Sequence, residues 1–433
     1  MRDLIGSICS GFTEFPSPIG PSTVDGPIGW PGYDDARRRA EERTGERESV
    51  VCGAGKIGDV EATVVSFEFG FLGGSLGRRT GDRLETAFTR ARELGTPVVS
   101  LVATGGSRMQ EGMAALTQLQ RIASQMALTK KAGLPLVSVL RDPTTGGGWA
   151  TLGAGADVTL AVPGAQVGFA GSRVRPGGDH SAYTAESQLT HGHVDKIVGP
   201  ADLPDELARW LKLLTGAAGE PAEPPAALGV RTLPETGWDA VQAARDPGRP
   251  HADAYLDTYF DWRADVSGDR CGGVDPGVLC GFGSRGGATV AYAAQCGTAT
   301  LPAGFRTAAR LVRLADRLQI PVLTLVDTPG AANDAEAERA GAGPAIAELF
   351  GAIAGATVPV TTLVIGEGGS GGALAFAAPG RTWVTPDSFF SVTSPEAAAA
   401  ILKRGAEEVP ATANRLRLRP QDLVELSVAR GIV

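Results

Sequence analysis

Pro97-Val98-Val99-Ser100-Leu101-Val102 runs through Ala103 into Thr104-Gly105-Gly106-Ser107-Arg108-Met109-Gln110-Glu111-Gly112, and a helix-forming stretch follows from about Gln110 to Ala132. An apolar, β-branched run that ends in glycines and leads into a helix is a strand-to-helix turn. A second one lies far downstream. Val358 to Ile365 runs into Gly366-Glu367-Gly368-Gly369-Ser370-Gly371-Gly372-Ala373, again followed by small helix-forming residues. Glycine lets main chain approach a ligand closely, and N–H groups at a helix start point outward, so each turn can stabilise an oxygen that gains negative charge. Two such turns imply a reaction with two enolate-like partners.

The segments around these turns alternate. A helix over Arg83 to Leu94 precedes the first strand; the strand Leu134 to Leu140, the glycine turn Thr144 to Gly148 and the strand Val158 to Val162 follow it. The second half repeats this order: strand Thr289 to Tyr292, helix Phe305 to Leu318, strand Pro321 to Val326, turn Asp327 to Gly330, helix Ala345 to Ala354 and strand Val358 to Ile365. Strand, turn and helix in succession predict an α/β fold with right-handed crossovers, and the matched order predicts a duplication of about half the chain. Residues 1–29, rich in Gly, Pro and Ser, read as an irregular tail or a partly ordered arm; 30–215 and 250–433 read as two domains; and 216–249, with Gly219 to Pro225, reads as an exposed linker.

The bulk numbers narrow the class. The chain has 433 residues, 43% hydrophobic and 20% charged, in the range of globular proteins large enough for two cores. A formal charge of −8 offers no general attraction to nucleic acid or anionic lipid. Five cysteines without a CxxC pair support neither a disulfide framework nor a zinc ribbon, so no metal site is expected. With neither a signal segment nor about 18 unbroken apolar residues, a cytoplasmic protein is expected.

Three motifs point elsewhere and are set aside. Gly53-Ala54-Gly55-Lys56-Ile57-Gly58 fits a dinucleotide fingerprint but leads into the strand-like Val60 to Phe69 rather than a helix, so a hairpin turn is expected. Gly368 to Gly372 fits a serine nucleophile elbow, yet His180, His191, His193 and His251 all lie upstream of Ser370, the reverse of that fold's chain order. His191 and His193 lack the spacing of a helical metal pair, and Asp327 and Glu367 read as capping carboxylates.

Taken together, the residues resemble a family. Trp30 to Tyr33, Arg43-Thr44-Gly45, Phe67 to Gly77, Gly105 to Gly112, Asp142 to Gly147 and Gly168 to Gly171 look like the β subunit of the carboxyltransferase component of acetyl-CoA carboxylase. Arg245 to Pro250, Gly268-Asp269-Arg270, Pro302 to Arg306, Asp327 to Gly330, Gly366 to Ala373 and Ser391 to Glu396 look like its α subunit, fused in that order. The resemblance implies two tandem crotonase-like domains with β-β-α repeats. It also implies transfer of a carboxyl group from carboxybiotin to an acyl-CoA, most simply acetyl-CoA to malonyl-CoA, through a thioester enolate.

By the same resemblance, Gly105 and Gly106 donate N–H groups to the thioester oxygen and Gly372 and Ala373 to the biotin ureido oxygen, while Gly146, Gly147, Gly368, Gly369 and Gly371 line the binding sites. The partners implied are a biotin carboxyl carrier protein, biotin carboxylase, and further copies of the chain, with biotin carried on the partner and coenzyme A thioester as substrate. The chain departs from the family pattern in having only Cys9 ahead of Trp30, where the β subunit has a four-cysteine zinc ribbon. It also keeps little of the longer helical insert at Asp179 to Thr190. A malonyl-thioester decarboxylase using the same enolate site is the runner-up, and a binding or scaffold protein on an inactive fold is a third reading.

Overall fold

Two eight-stranded sheets with the same strand plan account for all the strands of the described residues in a computed structural model that describes residues 1–18, 23–216 and 220–433. The chain divides into two units, Met1–Thr215 and Gly216–Val433.

In the first unit the strands are β1 (Ser10–Glu14), β2 (Val50–Ile57), β3 (Val60–Phe67), β4 (Val98–Thr104), β5 (Leu136–Thr145), β6 (Val158–Ala161), β7 (Val167–Gly168) and β8 (Lys196–Ile197). They lie in the order β1-β2-β3-β4-β5-β6-β8, with β7 beside the end of β5. β1 to β3 pair antiparallel and β3 to β8 parallel. All seven residues of β4 are buried, as expected of a parallel strand covered on both faces. The Arg78–Leu94 helix that links β3 to β4 buries Leu84, Ala87, Phe88 and Ala91, spaced to form one apolar stripe, and ends at Gly95 in the left-handed conformation. That stripe packs on Val50, Val65, Phe67, Val98 and Val102. Burying a side chain such as Phe88 contributes about 1.5–3 kcal/mol.

The second unit repeats the plan with β9 (Trp262–Val266), β10 (Val278–Arg285), β11 (Ala288–Gln295), β12 (Val322–Thr328), β13 (Val360–Gly369), β14 (Thr382–Val384), β15 (Phe389–Ser391) and β16 (Gly431–Ile432). Their order is β9-β10-β11-β12-β13-β14-β16, with β15 beside the end of β13. Hence β4 corresponds to β12 and β5 to β13, and the Pro302–Arg317 helix corresponds to Arg78–Leu94.

Four expectations need correction. Residues Arg2–Ile8 form a helix and β1 adds to the sheet, so much of the expected irregular arm is ordered; residues 19–22 of it lie outside the described residues. The physical reason is in β2: a Cβ at Gly53 or Gly55 would sit 2.4 Å from the Thr13 carbonyl or 2.2 Å from the Cys9 sulfur, so bare glycine backbone lets the arm lie flat. Those glycines are therefore strand residues, and the hairpin turns at Gly58-Asp59, with Ile57 opposite Val60.

The stretch expected as linker is also packed. Ala222 and Ala227 are buried, Tyr259 donates to the Glu223 carbonyl at 2.9 Å, the Leu228 N–H donates to the Tyr255 hydroxyl at 3.2 Å, and a helix occupies Gly237–Ala244; residues 217–219 lie outside the described residues. Proline and alanine here cover apolar surface rather than solvate a spacer. Finally, the helix expected over 110–132 begins only at Gly112, whose φ of +53° separates it from the turn Met109–Glu111, and it runs as two segments, Gly112–Leu116 and Gln118–Lys131, that meet at Thr117.

Candidate functional site

In the first unit two glycine turns meet at the ends of neighbouring strands. Gly105 and Gly106 follow β4, and Gly146, Gly147 and Gly148 follow β5. A Cβ at Gly106 would lie 3.5 Å from the Gly146 Cα, and one at Gly146 would lie 3.0 Å from the Gly106 Cα, so the two turns touch along bare backbone. Gly106 and Gly146 have φ of +104° and +61°, conformations that favour glycine at both points of contact.

The N–H groups of these turns divide into used and open ones. The Gly105 N–H donates to the Gly73 carbonyl at 2.8 Å, and the Gly106 N–H donates to the Thr104 hydroxyl at 3.0 Å. The pair expected to hold the thioester oxygen is therefore engaged in holding its own loop, a correction to the sequence reading. The Gly146 N–H is likewise occupied, by the Phe169 carbonyl at 3.0 Å. Gly147 and Gly148 sit in the first turn of the short helix that follows Thr145, whose side chain makes no cap bond, and main-chain N–H groups there have no intrahelical acceptor.

The second unit repeats two bonds of the first, though Pro329, lacking an N–H, has no counterpart of the Gly105 bond. The Gly330 N–H donates to the Thr328 hydroxyl at 3.1 Å as Gly106 does to Thr104, and the Thr300 N–H donates to the Gly330 carbonyl at 3.0 Å as Leu76 does to Gly106 at 2.8 Å. Ser370, with φ of +56°, opens the Ser370–Leu374 helix after β13 as Gly146 opens the one after β5. The two glycine runs that looked alike in sequence therefore occupy different places in the repeat: Gly105-Gly106 corresponds to Pro329-Gly330, and Gly371-Gly372 corresponds to Gly147-Gly148.

Of the other candidates, Gly368 and Gly369 are buried at the end of β13, where a Cβ would strike the Phe390 ring at 2.5 Å and the Pro329 carbonyl at 2.0 Å, so their smallness serves packing. Gly372 is close-packed too, its hypothetical Cβ lying 2.3 Å from the Ala331 nitrogen. At Gly371 a Cβ would meet nothing within 4 Å, which marks the open side of the turn. Ala373 is buried at the fourth helical position, where helix geometry directs its N–H to the Gly369 carbonyl; the open donors of this turn are Gly371 and Gly372.

Buried polar groups fix both sites from behind. Arg108, fully buried, contacts Glu48, the Tyr33 hydroxyl at 3.0 Å, Glu111 at 3.3 Å and the Ser75 carbonyl at 2.7 Å, so it ties the Gly105–Gly112 loop to three other segments. Burial pushes the Glu48 carboxyl up, but the Arg108 guanidinium beside it outweighs that and lowers it to about 2. In the second unit Asp327, also fully buried, takes both contacts of Arg249 at 2.6 and 2.7 Å, His251 at 3.2 Å and the Glu367 N–H at 3.2 Å. Glu367 pairs with Arg245 at 2.9 Å. Both carboxylates hold structure, beyond the capping role expected of them. Gln295, fully buried at the end of β11, donates to the Gly372 carbonyl at 3.2 Å and the Thr300 hydroxyl at 3.0 Å. Sequence reasoning passed over Gln295 and Gly148; aligning the two repeats strand by strand would have found Gly148.

Among the described residues no helix is long and apolar enough to cross a membrane. Residues 29–203 match the family described as Carboxyl transferase domain, and residues 233–433 match Acetyl co-enzyme A carboxylase carboxyltransferase-like. The chain is 38% identical to the acetyl-coenzyme A carboxylase carboxyl transferase subunits beta/alpha of Saccharopolyspora erythraea, covering 100% of this chain and 80% of that protein. It is 39% identical to the protein of the same name from Salinispora arenicola, covering 93% and 76%. The fold is that of a transcarboxylase 12S structure with methylmalonyl-coenzyme A bound, at a TM-score of 0.82 and 20% identity, covering 100% of this chain and 86% of that one. With both repeats matched in order and the β/α relatives covered over most of their length, the chain belongs to the biotin-dependent acyl-CoA carboxyltransferase family of acetyl-CoA carboxylase, as a fused β- and α-subunit form.

Proposed function

We propose that the protein transfers a carboxyl group from carboxybiotin on a carrier protein to an acyl-CoA, with acetyl-CoA giving malonyl-CoA as the favoured case. The observation that carries this reading is the duplicated strand-to-helix turn with open donors at Gly147-Gly148 in one unit and Gly371-Gly372 in the other. Each pair of N–H groups is held by the fold before a ligand arrives, which is the condition for stabilising a developing oxyanion without reorganisation.

Gly147 and Gly148 N–H groups hold the thioester oxygen as the enolate forms, and Gly371 and Gly372 hold the ureido oxygen. The open side of the turn at Gly371 fits a flat bicyclic ring. Carboxybiotin, when bound, supplies the CO2 and the ureido base that removes the α-proton. No histidine base is required, in keeping with His251 being bonded to Asp327. A biotin carboxyl carrier protein and biotin carboxylase are the partners this chemistry needs, and the working form is a homo-oligomer in the cytoplasm.

The test is incubation of the protein with malonyl-CoA, with and without free biotin, following CO2 and acetyl-CoA. Product that depends on biotin supports carboxyl transfer. Equal turnover without biotin would replace it by a decarboxylase, and no turnover with acetyl-, propionyl- or malonyl-CoA would sink the reading.

A further inference from the structure

The Arg78–Leu94 helix begins with the wrong charge. A helix N-terminus carries partial positive charge and favours acidic residues, yet its first turn holds Arg78 and Arg79 and no acid. Both are exposed, and neither guanidinium has a carboxylate partner among the described residues. They border a cavity of about 150 Å³ lined also by Thr23, Tyr33, Arg37 and Glu111. That is about the volume that admits a benzene-sized molecule.

Arg37 adds an independent observation. Its Nε is buried without a hydrogen-bond partner among the described residues, and its ion-pair partner, Asp34, stands 3.8 Å from another nitrogen of the same group. The acid in the cavity wall, Glu111, is turned to the Tyr33 hydroxyl at 2.5 Å, the Arg78 main-chain N–H at 2.6 Å and Arg108 at 3.3 Å, and forms no ion pair with the three cavity guanidiniums among the described residues. Three guanidinium groups thus face one small cavity, and among the described residues only Asp34, 3.8 Å from Arg37, stands in ion-pair range of any of them.

We infer that the cavity between Arg37, Arg78 and Arg79 is a phosphate subsite. Forked guanidinium donors suit phosphate oxygens, and three cations suit a dianion such as a terminal phosphate monoester better than a singly charged group. Its back wall is the Glu111–Arg108 network that anchors the Gly105–Gly106 turn, so the cavity adjoins the loop of the first unit's candidate site. The 3′-phosphate of a coenzyme A thioester is therefore one source of the group and free inorganic phosphate the other. Naming coenzyme A rests on the carboxyltransferase reading; the anion chemistry of the cavity does not.

The experiment is calorimetric titration of the full chain with CoA, 3′-dephospho-CoA and inorganic phosphate, at one low ionic strength because such contacts are screened by salt. Wild type is compared with R78Q/R79Q, whose changes are at exposed positions and whose folding is checked by thermal melting. The expected result is CoA binding about tenfold tighter than dephospho-CoA in wild type, with the ratio falling to about one in the variant. If wild type does not discriminate between them but inorganic phosphate binds it and not the variant, the subsite stands with free phosphate as its occupant. If no probe separates wild type from variant, the subsite is overturned. Loss of CoA binding altogether, together with absent malonyl-CoA turnover, would count against the carboxyltransferase reading, and the inorganic phosphate arm would still decide the cavity.

Discussion

The Gln295 side-chain amide donates to the Gly372 carbonyl at 3.2 Å and thereby fixes the peptide that follows the open donors of the second unit. The same nitrogen bonds the Thr300 hydroxyl at 3.0 Å, so one buried amide sets the turn against the strand below it. Replacing Gln295 by Met keeps the volume and removes the donor, leaving a buried carbonyl unsatisfied at a cost of about 1–3 kcal/mol. Carboxyl transfer is expected to fall about tenfold or more in kcat while the KM for acyl-CoA stays within about twofold. A larger rise in KM with kcat intact would show that Gln295 acts on acyl-CoA binding instead.

Gly147 allows the donor itself to be separated from its packing. In Gly147→Pro the N–H is removed at the second position of the helix, where that N–H has no intrahelical acceptor. Gly147→Ala adds the same Cβ against Leu119, 2.3 Å away, but keeps the N–H. Steady-state turnover of the Pro variant is expected to drop about 10²–10³-fold, as for loss of an oxyanion donor, with the Ala variant much less affected. Equal losses would assign the effect to Leu119.

The Glu48–Arg108 pair predicts an acid limit. Because the folded carboxyl is lowered to about 2 from an ordinary value of 4.5, its contribution is fully present above 4.5 and is lost as pH falls from there through about 2. Denaturant melts at pH 6, 4 and 3 are expected to show a decline that Glu48→Gln flattens. At neutral pH that variant loses about 3–5 kcal/mol, since Arg108 stays buried with one carboxylate fewer. An unchanged pH profile in the variant would remove the pair from the acid response.

Ser370 has the location of a nucleophile but no side-chain base bonded to it among the described residues. Ser370→Ala is expected to leave turnover within about threefold and to react no differently with a fluorophosphonate probe. Ser370→Gly is expected to raise stability by about 1 kcal/mol, because the φ of +56° is strained for serine and free for glycine. Covalent labelling of Ser370 would reopen the hydrolase assignment.

Phe350, Leu374 and Val428 are partly exposed around an apolar groove of about 290 Å³ in the second unit, and Met109, Met113 and Leu116 are exposed in the first. Apolar surface of this kind on a family member suits contact with a second copy. Light scattering is expected to give a dimer or larger species, and a monomer with full activity would contradict it.

Much of the architecture was legible because the fold writes itself into local pattern. Val98–Thr104 and Val360–Gly369 are apolar along their length, as strands buried on both faces must be, and Leu84, Phe88 and Ala91 recur at helical spacing. These periodicities, and the order in which they repeat, sufficed for an α/β duplication and for the glycine turns. What local pattern could not carry was which glycine does what, since a glycine needed for close packing, as Gly369 is against Pro329, reads the same as one with an open N–H, as Gly371 is.

The sequence by itself determined the two repeats, their strand-turn-helix order and the resemblance that names the family, because each depends on residues near one another in the chain. Only the tertiary structure decided that Gly105 spends its N–H on Gly73, that Gly148 is the counterpart of Gly372, and that Gln295 reaches Gly372 across 77 positions. Those bonds join segments the chain brings together only when the sheet forms. A donor's availability depends on every acceptor within 3 Å or so of it, which is a property of packing and not of spacing.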